Sequence, residues 1–321
     1  MAIELDRFAI ARYREHLGGQ APADFFDLWY RMVFWSEGQG RQDVDFREYC
    51  PDAPPDAVFD CWGLPRRAEG NEPLLTFAPM RGFSEARELE NYPFPDFTRP
   101  ACAAVPLVKV KDYRRRGLVT VGVVSRVLLP ICWQLRGMEE FFCDMVLRPD
   151  FAAALLDRVA SCQLDIVRGL VSAGVDVLLV GSDVASQRNT LISPEMWAQW
   201  IKPRMRMLCD EARRINRRVI IAFHCCGAVT GILDHLLDIG VEILNPVQPE
   251  CVDVRELKRK YGRRLTFWGG VSLQGVMAQA GPDEVRQEVR QKVEILAQGG
   301  GYVVSPAHFI TEDVPWENVL A

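Results

Sequence analysis

The sequence predicts a parallel α/β fold, either a barrel of alternating strands and helices or an open doubly wound sheet. Three observations carry this expectation. From about residue 118 onward, short runs rich in Val, Ile and Leu alternate with longer amphipathic stretches. Those runs are apolar almost throughout, as strands covered on both faces are. The chain has 321 residues, and strand–helix barrels routinely exceed about 250 residues as one unit.

The strand runs fall at 118–124, 175–180, 218–223, 241–244, 265–268 and 302–304, with a weaker one at 56–64. Pro149 opens a helix that sets Leu155, Val159 and Val167 on one side and stops at Gly174. Ser193-Pro194-Glu195 is an N-cap serine, a first-turn proline and an acidic residue suited to the positive end of the helix dipole. The helix that follows gathers Trp197, Trp200, Ile201, Met205, Leu208 and Ala212 on one face, with a kink expected at Pro203. Gly240 ends the next helix, Asp253 begins another, and a helix over 282–297 runs into Gly299-Gly300-Gly301. This glycine triplet precedes its strand and reads as a turn, and neither a P-loop nor a dinucleotide fingerprint occurs. Alternation at this spacing makes right-handed parallel connections. The first 100 residues are less regular, with turn-rich Ala53-Pro54-Pro55 and Tyr92-Pro93-Phe94-Pro95. The expected organisation is one domain over 1–321, in which residues 1–55 form an irregular helical extension.

Composition narrows the function. The chain is 49% apolar and 25% charged with a formal charge of −5, the balance of a soluble globule without a polyanion such as nucleic acid as partner. The basic runs at 114–116 and 213–218 read as solvated helix ends and turns. The N-terminus mixes Glu4, Asp6 and Arg7 with apolar residues, unlike a secretory signal. No uncharged apolar run reaches the about 18 residues that span a bilayer. Ten cysteines in such a chain read as the reduced thiols of a cytoplasmic protein. Most stand alone as buried filler; Cys225-Cys226 beside His224 form the cluster.

Side chains alternate faces along a strand, so His224 and Cys226 point one way and Cys225 the other. They follow the run 218–223 at its carboxyl end, where barrel enzymes place their chemistry, and Gly227 lets the chain turn away. An imidazole and a thiolate converging there are two ligands of a zinc site, which needs a third protein ligand and an open position. The bland alternative is a hydrogen-bonded histidine beside packed cysteines. His308, just past the run 302–304, is the candidate third ligand or a substrate-facing histidine; Cys251 is a weaker one, and His16 and His235 read as structural or solvated. Asp183 follows the run 175–180 and can orient a substrate, tune the metal shell or cap a helix. Gln187, Asn245, Gln248 and Trp268 gather at strand ends as candidate substrate-binding residues.

His224-Cys225-Cys226-Gly227, the 243–248 run Ile-Leu-Asn-Pro-Val-Gln, the 265–270 run Leu-Thr-Phe-Trp-Gly-Gly and the 305–318 run ending Trp316-Glu317-Asn318 resemble the uroporphyrinogen decarboxylase superfamily. The resemblance runs from about residue 118 to the end. It implies an eight-stranded (β/α)8 TIM barrel with an irregular N-terminal region, and a final helix longer than the residues up to Ala321 supply. Decarboxylases of this superfamily carry an arginine-rich N-terminal signature that residues 1–60 lack. The motifs are more similar to the zinc- and cobamide-dependent methyltransferase branch, whose ligands are a His-x-Cys pair and a later Cys. The resemblance implies His224 and Cys226 as that pair and His308 at the place of the last cysteine; Asp183 and His308, each beyond the carboxyl end of a strand run, are the expected catalytic groups. It implies Zn2+ as cofactor, and a corrinoid (methylcobalamin) as co-substrate or on a partner protein. The expected reaction moves a methyl group between that corrinoid and a small thiol or methyl ether. Alternatives are a cofactor-free tetrapyrrole carboxy-lyase and a non-catalytic corrinoid- or tetrapyrrole-binding protein.

Overall fold

The computed structural model describes residues 4–39, 44–68 and 73–321. Residues 1–3 and 40–43 of the expected N-terminal extension lie outside them. Among the described residues nine strands form: β1 (Tyr30–Phe34), β2 (Val58–Phe59), β3 (Pro65–Arg66), β4 (Val119–Val124), β5 (Val177–Gly181), β6 (Ile220–His224), β7 (Ile243–Val247), β8 (Thr266–Val271) and β9 (Tyr302–Pro306). The six clear strand runs of the sequence are β4 to β9, displaced by one to three residues. The seventh is not a barrel strand. It turns on itself as the antiparallel hairpin β2–β3, with Val58 opposite Arg66, because Asp60 Oδ1 accepts from the N–H groups of Trp62 and Leu64 at 2.9 and 3.1 Å and folds the chain into a tight turn. In its stead β1 forms, in a stretch that Arg31 disguises. That guanidinium is buried, and its charge is met by the carbonyls of Leu28 and Tyr30 and by the Asp24 carboxylate.

The chain divides into two compact units. One comprises Met32–Ser182 and Ala198–Val219. It contains the parallel pair β4–β5, in register from Val121 opposite Val177 to Val124 opposite Val180. The long helix Pro149–Ala173 buries Leu155, Val159, Ile166 and Val167 and ends at a left-handed Gly174; it packs on Lys202–Ile215. The single kinked helix expected after Ser193 is two, Pro194–Trp200 and Lys202–Ile215, since Pro203 has no N–H to continue the hydrogen-bond ladder of the first and suits the first turn of the second. After β4 the backbone takes positive φ at two residues with side chains, Arg126 (52°) and Leu128 (60°), a conformation that costs about 1 kcal/mol or more each. Buried polar bonds hold it: Leu128 N–H donates to Gln163 Oε1 at 2.9 Å, Gln163 Nε2 to the Arg126 carbonyl at 3.1 Å, and Ser182 Oγ to the Val127 carbonyl at 2.7 Å.

The other unit comprises the chain up to Arg31, Asp183–Trp197 and Ile220–Ala321. Its four strands β6 to β9 pair in sequence order, all parallel. The helices Leu233–Asp238, Val254–Tyr261 and Pro282–Leu296 make the crossovers, so the unit is consecutive β–α–β repeats. Asp253 caps its helix by accepting from the N–H groups of Arg255 and Glu256. The β7–β8 register shifts between Leu244 and Val247, where Pro246 has no N–H for the ladder. Residues at the two ends of the chain close the unit. Leu5, Ala9, Tyr13 and Leu17 bury against Val271, Leu273, Met277, Ile310, Val314 and Val319, and Ile310 N–H donates to the Glu4 carbonyl at 2.7 Å. Among the described residues no helix is long and apolar enough to cross a membrane.

Candidate metal centre

The site grows from the end of β6. His224 is its last residue and stands opposite Asn245 of β7 in the parallel register. Neighbouring strands lie about 4.8 Å apart, which lets Asn245 Oδ1 reach His224 Nδ1 at 2.7 Å. With a carbonyl oxygen accepting there, Nδ1 carries the proton and Nε2 presents its lone pair. A protein carbonyl behind the ring is the usual partner of a metal-binding histidine. Replacing Asn245 by Ala is therefore expected to weaken metal binding about 10–100-fold, measured by competition with a chromophoric chelator; unchanged affinity would remove Asn245 from that role.

Cys226 faces the same way as His224, with its sulfur 4.0 Å from Nε2. Cys225 is fully buried and faces away; its sulfur accepts from the Val184 N–H at 3.3 Å. The chain turns at Gly227, whose φ is 94° and whose missing Cβ would meet the Ser186 carbonyl oxygen at 2.3 Å. No other residue fits there. Gly227 N–H donates to Gln248 Oε1 at 2.9 Å, and Ala228 N–H to the Ser186 carbonyl at 2.9 Å. Gln248 thus holds the turn rather than facing outward.

Asp183 joins the pair. Its Oδ1 lies 4.0 Å from His224 Nε2 and accepts from the Cys226 N–H at 3.2 Å. Ligand atoms of Asp183, His224 and Cys226 all fall within 4.8 Å of one another. Zinc bond lengths at a tetrahedral angle put neighbouring donors about 3.4–3.6 Å apart, so the two 4.0 Å pairs would close by about half an ångström, while Asp183 and Cys226 lie within the 4.8 Å that bounds the cluster. A nitrogen, a sulfur and an oxygen donor are the borderline-soft set that suits zinc, and the residues present fit it. Burial, then the Asp183 charge, then Cys251 push the Cys226 thiol up to about 12.

His308 does not lie within that cluster. Its ring centroid is 6.5 Å from that of His224, and it keeps one side exposed. Crowding by protein on its other sides, and the nearby His224, lower its pKa. Gln187, at the tip of the loop after β5, donates to Gln274 Oε1 at 3.1 Å on the turn after β8. Trp268 is buried inside β8, edge-on to Tyr30 at 5.2 Å. Tyr30 and Glu4, whose hydroxyl and carboxylate meet at 2.6 Å beside Trp268, were not among the expected site residues. Both lie in the irregular first 100 residues, where no strand periodicity marks them.

The uroporphyrinogen decarboxylase (URO-D) family pattern matches residues 129–321, more than half of the chain. The chain belongs to the uroporphyrinogen decarboxylase family. Within it, 187 residues are 25% identical to the methylcobamide:CoM methyltransferase MtaA of Methanosarcina barkeri, a match over 58% of this chain and 52% of that protein. The chain thus spans about half the length of that relative. It is also 24% identical over 273 residues to the uroporphyrinogen decarboxylase of Methylococcus capsulatus, covering 82% of this chain and 74% of that one. Among solved structures, a methyltransferase from Methanosarcina mazei shares the fold, with TM-score 0.55 and 24% identity over 66% of this chain and 60% of that chain. The α/β architecture with parallel strands read from the sequence is therefore that of this family.

Proposed function

We propose that this chain is a zinc-dependent methyltransferase that moves a methyl group between a corrinoid, carried by a partner protein, and a small thiol or methyl ether. The observation that carries the reading is the convergence of Asp183, His224 and Cys226 at one strand end, in a chain similar to a methylcobamide:CoM methyltransferase. The (β/α)8 barrel over 1–321 is the form we propose for the whole domain, on the strength of its consecutive parallel β–α–β repeats.

His224 and Cys226 would hold the ion, with Asp183 as third donor, leaving one position for the substrate. When bound, zinc supplies a positive charge that stabilises a thiolate at neutral pH or polarises an ether oxygen. Asn245 keeps Nε2 aimed inward and Gln248 keeps the Cys226–Gly227 turn in place. His308, neutral at pH 7 because its pKa is lowered, relays to solvent the proton that a thiol substrate gives up. We assign Gln187 and Trp268 to the walls around the substrate.

Metal binding must displace the Cys226 proton. A thiol raised to about 12 stays protonated across the neutral range, so each ion bound releases that proton. Zinc affinity should then rise about tenfold per pH unit between about pH 6 and 8. A slope near zero in chelator competition would strike Cys226 from the ligands. Turnover is tested by mixing methylcobalamin with a panel of small thiols and following cobalt absorbance. No spectral change with the zinc-loaded protein and any thiol would overturn the methyltransferase reading. A carboxy-lyase is the second reading, favoured by the broader match to the Methylococcus decarboxylase; metal-independent release of carbon dioxide from uroporphyrinogen would select it.

A further inference from the structure

A second polar cluster, in the other unit, lies at the carboxyl end of β4. Arg126 follows that strand in the left-handed backbone conformation, φ 52°, with Leu128 alongside at 60°. Gln163 clamps both residues. A side-chain-bearing residue is kept at positive φ where something is gained from its direction. At Arg126 the side chain so directed is a guanidinium.

The two edges of that guanidinium differ. Arg126 Nη1 donates to Asp60 Oδ2 at 3.1 Å and to Gln134 Oε1 at 3.2 Å, which occupies both its hydrogens. Asp60 in turn is saturated: Oδ1 takes the Trp62 and Leu64 N–H groups, and Oδ2 also takes Arg66 Nη2 at 3.0 Å. The opposite edge, Nε with Nη2, makes no hydrogen bond among the described residues. Its nearest acid, Glu37 Oε2, stands 3.8 Å from Nη2, an ion-pair distance too long for a hydrogen bond. The Nε–Nη2 edge is the fork that grips two oxygens of a carboxylate, sulfonate or phosphate side by side.

We propose that Arg126 is the anchor of an anion site that takes the acidic group of a small organic acid on its Nε–Nη2 edge, which makes no hydrogen bond among the described residues, with Asp60 and Gln134 as the residues that position it. The inference stands on this cluster alone and does not need the methyl-transfer reading.

The test titrates the full-length protein with acetate, methanesulfonate and inorganic phosphate by calorimetry, with chloride balancing ionic strength. At least one of the three should saturate, and the tightest identifies the kind of acidic group. Arg126→Lys keeps the charge but lacks the fork, and should bind that anion about tenfold more weakly. Glu37→Gln removes the competing carboxylate and should bind it severalfold more tightly. Circular dichroism of each variant separates lost binding from lost fold. Failure of all three anions to saturate, or equal affinity in the wild type and a folded Arg126→Lys, overturns the proposal.

Discussion

Cys226→Ala is expected to take the purified protein from about one zinc per chain to none, and to lower methyl transfer from methylcobalamin to a thiol by about a thousandfold or more. The thiolate is the strongest zinc donor of the cluster, and alanine leaves His224 and Asp183, two ligands where a stable site needs three. Cys225→Ala provides the contrast. That sulfur faces away from the cluster and accepts the Val184 N–H, so its loss should cost about 1 kcal/mol of stability and leave the metal in place. Elemental analysis of both variants, purified without chelator, separates the two adjacent cysteines. Zinc retained in a folded Cys226→Ala would end the metal-centre reading.

Asp144→Ala should be strongly destabilising, at about 3–5 kcal/mol. Arg136 Nε meets the Asp144 carboxylate at 2.7 Å, and the two side chains are 3% and 1% exposed. The same guanidinium donates through Nη1 to the carbonyls of Met80 and Arg81, and Arg148 Nη2 meets the other carboxylate oxygen. Removing the acid strands a buried guanidinium without its counter-charge, whereas the double change Arg136→Met, Asp144→Leu removes both and should recover much of the loss. Urea unfolding of the single and double variants measures this. A single variant within about 1 kcal/mol of the wild type would show that water enters the pair.

The strands β4 to β9 were readable because each is a run of apolar, β-branched residues closed by glycine, proline or a helix cap. The orientation of His224 and Cys226 followed from the two-residue period of a strand, and the faces they take agree with it: Cys226 towards His224, Cys225 buried behind. Asn245 braces the His224 ring and Gln248 the Gly227 turn, contacts that parallel register creates and no local pattern encodes. The run 56–64 misled because its apolar residues resemble a strand while Asp60 turns the backbone back on itself. β1 was hidden because a buried arginine breaks the apolar pattern unless its partners, Asp24 and two carbonyls, are known.

Local pattern alone therefore determined the class of fold, the order of its strands along the chain, and the end of β6 at which an imidazole and a thiol converge. Such properties depend on residues a few positions apart, through the periods of strand and helix and the signals that stop them. Folding decided which distant groups meet that pair, Asp183 from 41 positions before His224 rather than His308 from 84 after it, with Asn245 behind the ring. These meetings depend on register, crossover and the satisfaction of buried polar groups. Each is settled by the packing of the whole chain and leaves no mark on the spacing of its residues.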